Sequence, residues 1–215
     1  MKRISLIVPC LNEEEAIPAF KQEIDRVFKE CLEGYAPELI FVDDGSTDRS
    51  LEMIKKMAEH SPEVKFISFS RNFGKEAAIY AGLEAATGDY VAVMDVDLQD
   101  PPSLLPDMLK AIEKEGYDCA GTRRVTRQGE PLLRSFFARA FYKTIHQISD
   151  TRIVDGARDY KLMTRPVLEA LLSLKEYNRF SKGLYEWVGF RTKWFEYENV
   201  ERVAGETKWS FFKLF

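Results

Sequence analysis

Four short polar clusters hold the side chains of this chain best placed to do chemistry. They are Pro9-Cys-Leu-Asn-Glu-Glu14, Asp43-Asp-Gly-Ser-Thr-Asp48, Ser70-Arg-Asn-Phe-Gly-Lys75 and Asp95-Val-Asp-Leu-Gln-Asp100. The last is the sharpest. Alternate residues of an extended segment project to one side, so Asp95, Asp97 and Gln99 are expected to face one point. Hard oxygen donors in small number suit Mg²⁺ or Mn²⁺, which keeps water and takes its remaining ligands from phosphates. Taken singly, each cluster also reads as a turn or cap, since Asp, Asn, Ser and Gly favour both. Ser46 and Asp48 are expected to cap the helix that begins near Leu51.

What lifts the clusters above that bland reading is their position. Each follows a compact β-rich run: Ile4 to Val8, Leu39 to Val42, Val64 to Phe69, and Tyr90 to Met94. Between the runs lie segments of helical period. Ala16, Phe20, Ile24, Val27 and Phe28 form one apolar face, as do Leu51, Ile54 and Met57, and a third helix runs through Ala77, Ala78, Ala81 and Leu83. Strand–helix alternation predicts a mostly parallel α/β sheet flanked by helices, with right-handed crossovers. Ligands in such sheets lie beyond the carboxyl ends of the strands. Four polar clusters at four consecutive strand ends therefore share one rim.

Beyond Asp100 the pattern changes. A helix from Pro101 to Glu115 opens on two prolines, and Pro131 to about Ile148 is amphipathic. Asp159 to Met163 is strand-like, Pro166 to Leu174 helical, and Trp194 to Val203 extended. Charge divides along the same line: Cys119 to Phe215 carries 18 basic and 11 acidic residues, and the preceding part 13 and 24. An acidic half (1–118) suits a cation site and a basic half (119–215) an anionic partner, within a single domain. High aromatic content excludes a disordered chain, and neither a P-loop nor a dinucleotide-binding glycine pattern is present. No nucleic-acid partner is expected. Cys10, Cys31 and Cys119 are odd in number and widely spaced, which fits a reducing, cytoplasmic setting. No run reaches the roughly 18 apolar residues of a membrane span. The closing Lys208 to Phe215 is aromatic and basic, as expected of a juxtamembrane segment. His60 and His146 lack partners at ligand spacing.

Together Val-Pro-Cys-Leu-Asn-Glu-Glu, Val-Asp-Asp-Gly-Ser-Thr-Asp, Arg-Asn-Phe-Gly-Lys and Asp-Val-Asp-Leu-Gln-Asp-Pro-Pro resemble the inverting glycosyltransferase family 2, and most of all its polyprenyl-phosphate branch. The resemblance covers essentially the whole chain and implies a GT-A-like nucleotide-diphospho-sugar transferase fold. It implies that Pro9, Leu11, Asn12, Glu13, Asp43, Asp44, Lys75 and Asp95 bind the nucleotide sugar. Asp97 and Gln99 would hold the Mg²⁺ or Mn²⁺ that bridges the donor diphosphate. Arg123, Arg134, Arg139 and Arg202 would grip the phosphate of a polyprenyl acceptor at a membrane surface, on its cytoplasmic face. Asp97 and Asp159 are the residues it marks as catalytic, Asp159 being the group that could serve as a general base toward a hydroxyl acceptor. Lys161 and Lys182 stand where the family pattern has Arg; they keep the charge but lose the planar fork, so neither is expected to clamp a phosphate. Other acceptors (a polysaccharide or protein hydroxyl), nucleotidyl transfer and binding without turnover stay open, as does self-association into a homo-oligomer.

Overall fold

The computed structural model describes residues 1–124, 154 and 156–197. Strands β1 (Lys2–Cys10), β2 (Tyr35–Asp43), β3 (Val64–Ser68) and β4 (Tyr90–Val93) alternate with helices α1 (Ile17–Cys31), α2 (Ser50–His60) and α3 (Lys75–Ala85). A 3₁₀ turn (Pro102–Leu104) leads into α4 (Leu105–Glu115). Then follow β5 (Cys119–Arg124), β6 (Ala157–Thr164), α5 (Arg165–Ser173), α6 (Ser181–Trp187) and β7 (Thr192–Tyr197). Within the described residues the expected strands and helices are present, several of them longer than their apolar runs; the amphipathic stretch 131–148, the end of the extended run to Val203 and the segment 208–215 lie outside them. The segment Cys119–Arg124, given no element by the sequence pattern, forms β5.

The seven strands form one sheet in the order β3-β2-β1-β4-β6-β5-β7. β3, β2, β1 and β4 pair in parallel, as does β5 with β7, whereas β6 is antiparallel to both β4 and β5. The start of β6 therefore lies at the same rim as the ends of β1, β4 and β5. Two apolar layers sandwich the sheet. Even-numbered β1 residues Ile4, Leu6 and Val8 pack with Phe20, Ile24, Leu105 and Met108 of α1 and α4. On the opposite face Ile7 joins Val91, Val93, Ile79 and Leu83 of α3, and Val167, Leu168 and Tyr185 of α5 and α6. Strand alternation thus places each layer. No helix among the described residues is long and apolar enough to cross a membrane.

One buried carboxylate sits far from the rim. Glu38 of β2 accepts hydrogen bonds from the Ser5 hydroxyl, Lys65 Nζ (2.5 Å), and the N–H (2.9 Å) and hydroxyl (2.6 Å) of Thr87. Burial alone would raise its pKa, but Lys65, Ser5 and Thr87 outweigh burial and hold it at about 2. This network ties β1, β2, β3 and the entry to β4 at their amino-terminal side.

Candidate functional site

The loops after β1 and β2 are laced through side-chain acceptors. Asn12 adopts a left-handed backbone, φ 52°, a conformation Asn tolerates better than most residues. Its N–H donates to Ser46 Oγ (2.9 Å), Glu13 N–H to Ser50 Oγ (2.7 Å) and Glu14 N–H to Asp48 Oδ2 (3.3 Å). In return Asn12 Oδ1 accepts from Thr47 N–H at 2.7 Å. This corrects the expectation that Ser46 and Asp48 cap α2: its N-cap is Arg49, without a side-chain cap bond. Ser46 serves the neighbouring strand-end loop, and Asp48 reaches both that loop and Ser50 N–H (2.9 Å). Ser46 is taken by the crossing contact, while Asp48 serves both loops, one oxygen to each.

Asp43 and Asp44 are both buried. Asp43 Oδ1 accepts from Ser46 N–H (3.3 Å), and its Oδ2 from the Ser68 hydroxyl (3.4 Å). Asp44 accepts from Phe73 N–H (2.7 Å) and Gly74 N–H (3.0 Å). The β2 end therefore grips the β3 end by its backbone. Gly45 is required there: its φ is +75°, and a Cβ would lie 2.5 Å from the Arg71 carbonyl carbon. Through Gly74, the same grip sets the start of α3 and hence Lys75.

Lys75 is the centre of the rim. Its Nζ lies 2.6 Å from Asp95 Oδ1, after β4, and 2.5 Å from Asp159 Oδ2, on β6. Lys182 of α6 approaches Asp159 from elsewhere, at 3.7 Å. Burial would raise the Asp159 pKa, but attraction to Lys75, then Lys182 and Arg158, holds it well below the ordinary carboxylate range. The ladder explains how β6 presents these groups. Gly121 pairs with Lys161 and Arg123 with Ala157, so Arg158, Asp159 and Tyr160 together oppose Thr122. Such a bulge re-aims side chains beside a site. Arg158 Nε donates to Asp100 Oδ1 (3.0 Å), and its Nη2 lies 4.0 Å from Asp95 Oδ2. The Tyr197 hydroxyl of β7 donates to the same Asp100 oxygen.

The Asp95-Val-Asp97 segment departs from the extended geometry expected of it. The chain turns directly after β4. Leu98 is left-handed (φ 56°), and Gln99 N–H donates to Asp97 Oδ1 at 3.1 Å. Asp97 prefers this local Asx-type bond to continued extension. Asp95 and Asp97 consequently have different surroundings: Asp95 faces two cations, while Asp97 is buried within the turn. The Asp97 carboxylate and the Gln99 amide oxygen are of the hard donor type that a divalent cation such as Mg²⁺ or Mn²⁺ takes. Among the described residues no three His, Cys, Asp or Glu side chains form a metal cage. A cation at Asp97 and Gln99 would thus draw most of its ligands from phosphate and water, as Mg²⁺ and Mn²⁺ do.

Of the other expected site residues, Pro9 is the penultimate residue of β1, beside Val42, and Leu11, Asn12 and Glu13 form the half-buried loop beyond the strand. Arg123 lies at the end of β5, paired with Glu196 on β7. Arg134, Arg139 and Arg202 lie outside the described residues. Lys161 is buried under the rim, with Nζ 3.3 Å from Glu186 and 4.7 and 5.1 Å from the Tyr185 and Trp194 ring centres. A phosphate clamp would need that ammonium exposed. Arg158 and Tyr197 were not singled out from the sequence; Asp100 stood there only as the end of its cluster, and Lys182 only as a replacement for the family's Arg. An Arg directly before Asp159 was the one available signal.

The family model described as Glycosyl transferase family 2 matches residues 5–172. A Bacillus subtilis (strain 168) relative, CsbB, bears the name of a glycosyltransferase and is 45% identical over 99% of this chain and 63% of its own. The prophage bactoprenol glucosyl transferase homolog of Escherichia coli (strain K12) is 42% identical over 99% of this chain and 68% of its own. The chain thus spans less than two thirds of the first relative and about two thirds of the second. The fold is shared with solved structures. One is a mannosyltransferase from Pyrobaculum calidifontis in complex with GDP-Man and Mn²⁺ (TM-score 0.60, 22% identity, 94% of this chain and 57% of that one). Another is glucosyl-3-phosphoglycerate synthase from Mycobacterium tuberculosis, in complex with Mn²⁺, UDP-Glc and phosphoglyceric acid (TM-score 0.62, 21% identity, 99% and 74%). Both are GT-A glycosyltransferases, and the chain has that fold.

Proposed function

This chain belongs to glycosyl transferase family 2, and we propose that it transfers a hexose from a nucleotide sugar, UDP-glucose-like or GDP-mannose-like, to a polyprenyl phosphate, with inversion at the anomeric carbon. The observation that carries the reading is the convergence of Lys75, Asp95 and Asp159 with the β1 and β2 loops at one rim of the sheet. The names of the bactoprenol relatives support the lipid acceptor, and the nucleotide sugars and Mn²⁺ of the fold neighbours support the donor.

In this reading the nucleoside lies on the Pro9–Glu13 loop and the Asp43-Asp44 turn, the acidic part of the chain supplies the donor side, and the basic part the acceptor side. Asp95 and Lys75 orient the sugar diphosphate. Asp97 and Gln99 would hold Mg²⁺ or Mn²⁺, whose bound charge neutralises the departing diphosphate. An acceptor phosphate oxygen attacks the anomeric carbon as the carbon–oxygen bond to the β-phosphate breaks, and the electron pair leaves with the nucleoside diphosphate. Holding both partners in line supplies most of the rate.

Asp159 favours the phosphate acceptor over a hydroxyl. A hydroxyl needs a base poised near neutral pH, whereas Asp159 is ion-paired and strongly acidic. A phosphate is already anionic and needs none. Asp159 then acts by fixing Lys75 and Lys182 rather than by taking a proton. The acceptor would be met at a membrane surface on its cytoplasmic face, with Arg123 on the acceptor side.

The test is transfer of radiolabelled sugar from UDP-glucose or GDP-mannose to undecaprenyl phosphate in detergent, with and without Mn²⁺. Cation-dependent label in the lipid phase is expected. Label passing only to a hydroxyl acceptor, or donor binding without any transfer, overturns the proposal.

A further inference from the structure

Asp95 is held by two cations that reach it from different elements. Lys75 comes from the first turn of α3, and Arg158 from the bulge of β6. The two differ in how they are themselves held. The Lys75 side chain is 42% exposed and divides its charge between Asp95 and Asp159. The Arg158 side chain is 24% exposed, and its Nε is fixed by Asp100, whose side chain is 0% exposed. Among the described residues Asp100 Oδ2 is buried without a hydrogen-bond partner, so its other oxygen, shared by Arg158 and Tyr197, answers the carboxylate. A buried carboxylate satisfied on one side only is costly to keep. Its presence directly behind the arginine that faces Asp95 is an arrangement that packing alone does not require.

We propose that Arg158 is a positioning residue for sugar transfer: anchored by Asp100 and Tyr197, it directs its guanidinium to Asp95 and fixes the orientation in which that carboxylate meets the donor. The planar fork matters because Nε is committed to Asp100 while Nη2 remains for Asp95. A lysine has one nitrogen and cannot span both. The link also couples the edge strand to the donor site, because Tyr197 closes β7 and pairs in register with Arg124. Lys75 cannot replace Arg158, as its charge is shared with Asp159.

The proposal rests on the donor reading above, and its test separates the two. Arg158→Lys is expected to weaken donor affinity roughly tenfold, as misplacement of a carboxylate that meets the donor does. This should appear in KM and in the calorimetric Kd for UDP-glucose or GDP-mannose with Mn²⁺, while kcat changes less than about threefold. In an Asp95→Asn background the same substitution should move Kd less than about twofold, because Arg158 then has nothing left to position. An equal loss in both backgrounds marks Arg158 as merely structural and overturns the proposal. Should Arg158→Lys fold poorly, Asp100→Asn should show the same background dependence at smaller size. A crystal structure of Arg158→Lys gives a readout free of activity: Asp95 is expected to turn onto Lys75 alone, and an unmoved carboxylate refutes the idea. If the native protein binds no nucleotide sugar, the donor reading fails, while the orientation of Asp95 in that structure still decides this inference.

Discussion

Lys75 Nζ lies 2.5 Å from Asp159 Oδ2, joining the first residue of α3 to the antiparallel strand β6 across 84 positions of sequence. The same ammonium holds Asp95, so one charge links three elements of the rim. Lys75→Met leaves two carboxylates facing each other near the site of an anionic donor. Because the ammonium is partly exposed, the stability cost should be modest, about 1 kcal/mol. kcat/KM should nevertheless fall at least about tenfold, since the loss is one of electrostatic complementarity at the reacting centre. An unchanged kcat/KM would reduce the contact to an ordinary surface ion pair.

Asp97 has two jobs that chemistry can separate. Its Oδ1 accepts the Gln99 N–H, which shapes the turn, and its charge is what a divalent cation requires. Asp97→Asn retains the acceptor and removes the charge. Transfer should drop by about 100-fold or more while the melting temperature stays close to native. Asp97→Ala should lose a similar amount of activity and also stability, by roughly 1 kcal/mol for the lost turn bond. Comparison of thermal unfolding for the two variants checks this. Equal melting temperatures would mean that the turn bond carries no weight.

The Asp44–Gly74 contact predicts a loop phenotype. Asp44→Ala strands the N–H groups of Phe73 and Gly74, and Gly45→Ala drives a methyl group into the Arg71 backbone. Each should lower stability by about 1–3 kcal/mol. Each should also raise hydrogen exchange over residues 71–75, because both changes release the loop that sets Lys75. Protection that stays at the native level in both variants would contradict this placement.

Glu38 provides the pH test. Its folded pKa, about 2, lies below the ordinary value of 4.5 for a free glutamate. The linked stability is therefore complete above the unfolded pKa and is lost as pH falls from about 4.5 toward 2. Denaturant melts should show this decline, and Glu38→Gln should flatten it. At neutral pH that variant should be less stable by about 1–3 kcal/mol, because the buried donors of Ser5 and Thr87 lose a charged acceptor, while Lys65, about half exposed, returns to water. Donor affinity should be untouched, as Glu38 lies at the amino-terminal side of the sheet. A pH slope as steep as native in Glu38→Gln would assign the decline to other carboxylates.

The parallel half of the sheet was legible in the residue pattern because its signals are local. Apolar runs of strand length, helical spacing from Ala16 to Phe28 and polar clusters at successive strand ends each occupy a few neighbouring residues, so the common rim followed. β5 was missed because Cys119–Arg124 ends in two charged residues and lacks a long apolar run. The turn at Asp97 was missed because alternation assumes an extended backbone, whereas a side chain that can bond the amide two residues on will bend it.

The sequence by itself determined which residue types gather at the rim, for the succession of strands and helices along the chain and the polarity of strand ends are written in short-range periodicity. Only the tertiary structure decided what those residues do to one another: that Lys75 sits between Asp95 and Asp159, that Asp44 holds the neighbouring loop by its backbone, and that Arg158 reaches Asp95 from a buried Asp100. Each of those contacts closes a long stretch of chain, and its energy depends on burial and angle. Neither exists until the sheet has assembled, and the Lys75 and Arg158 contacts also need antiparallel β6 beside β4.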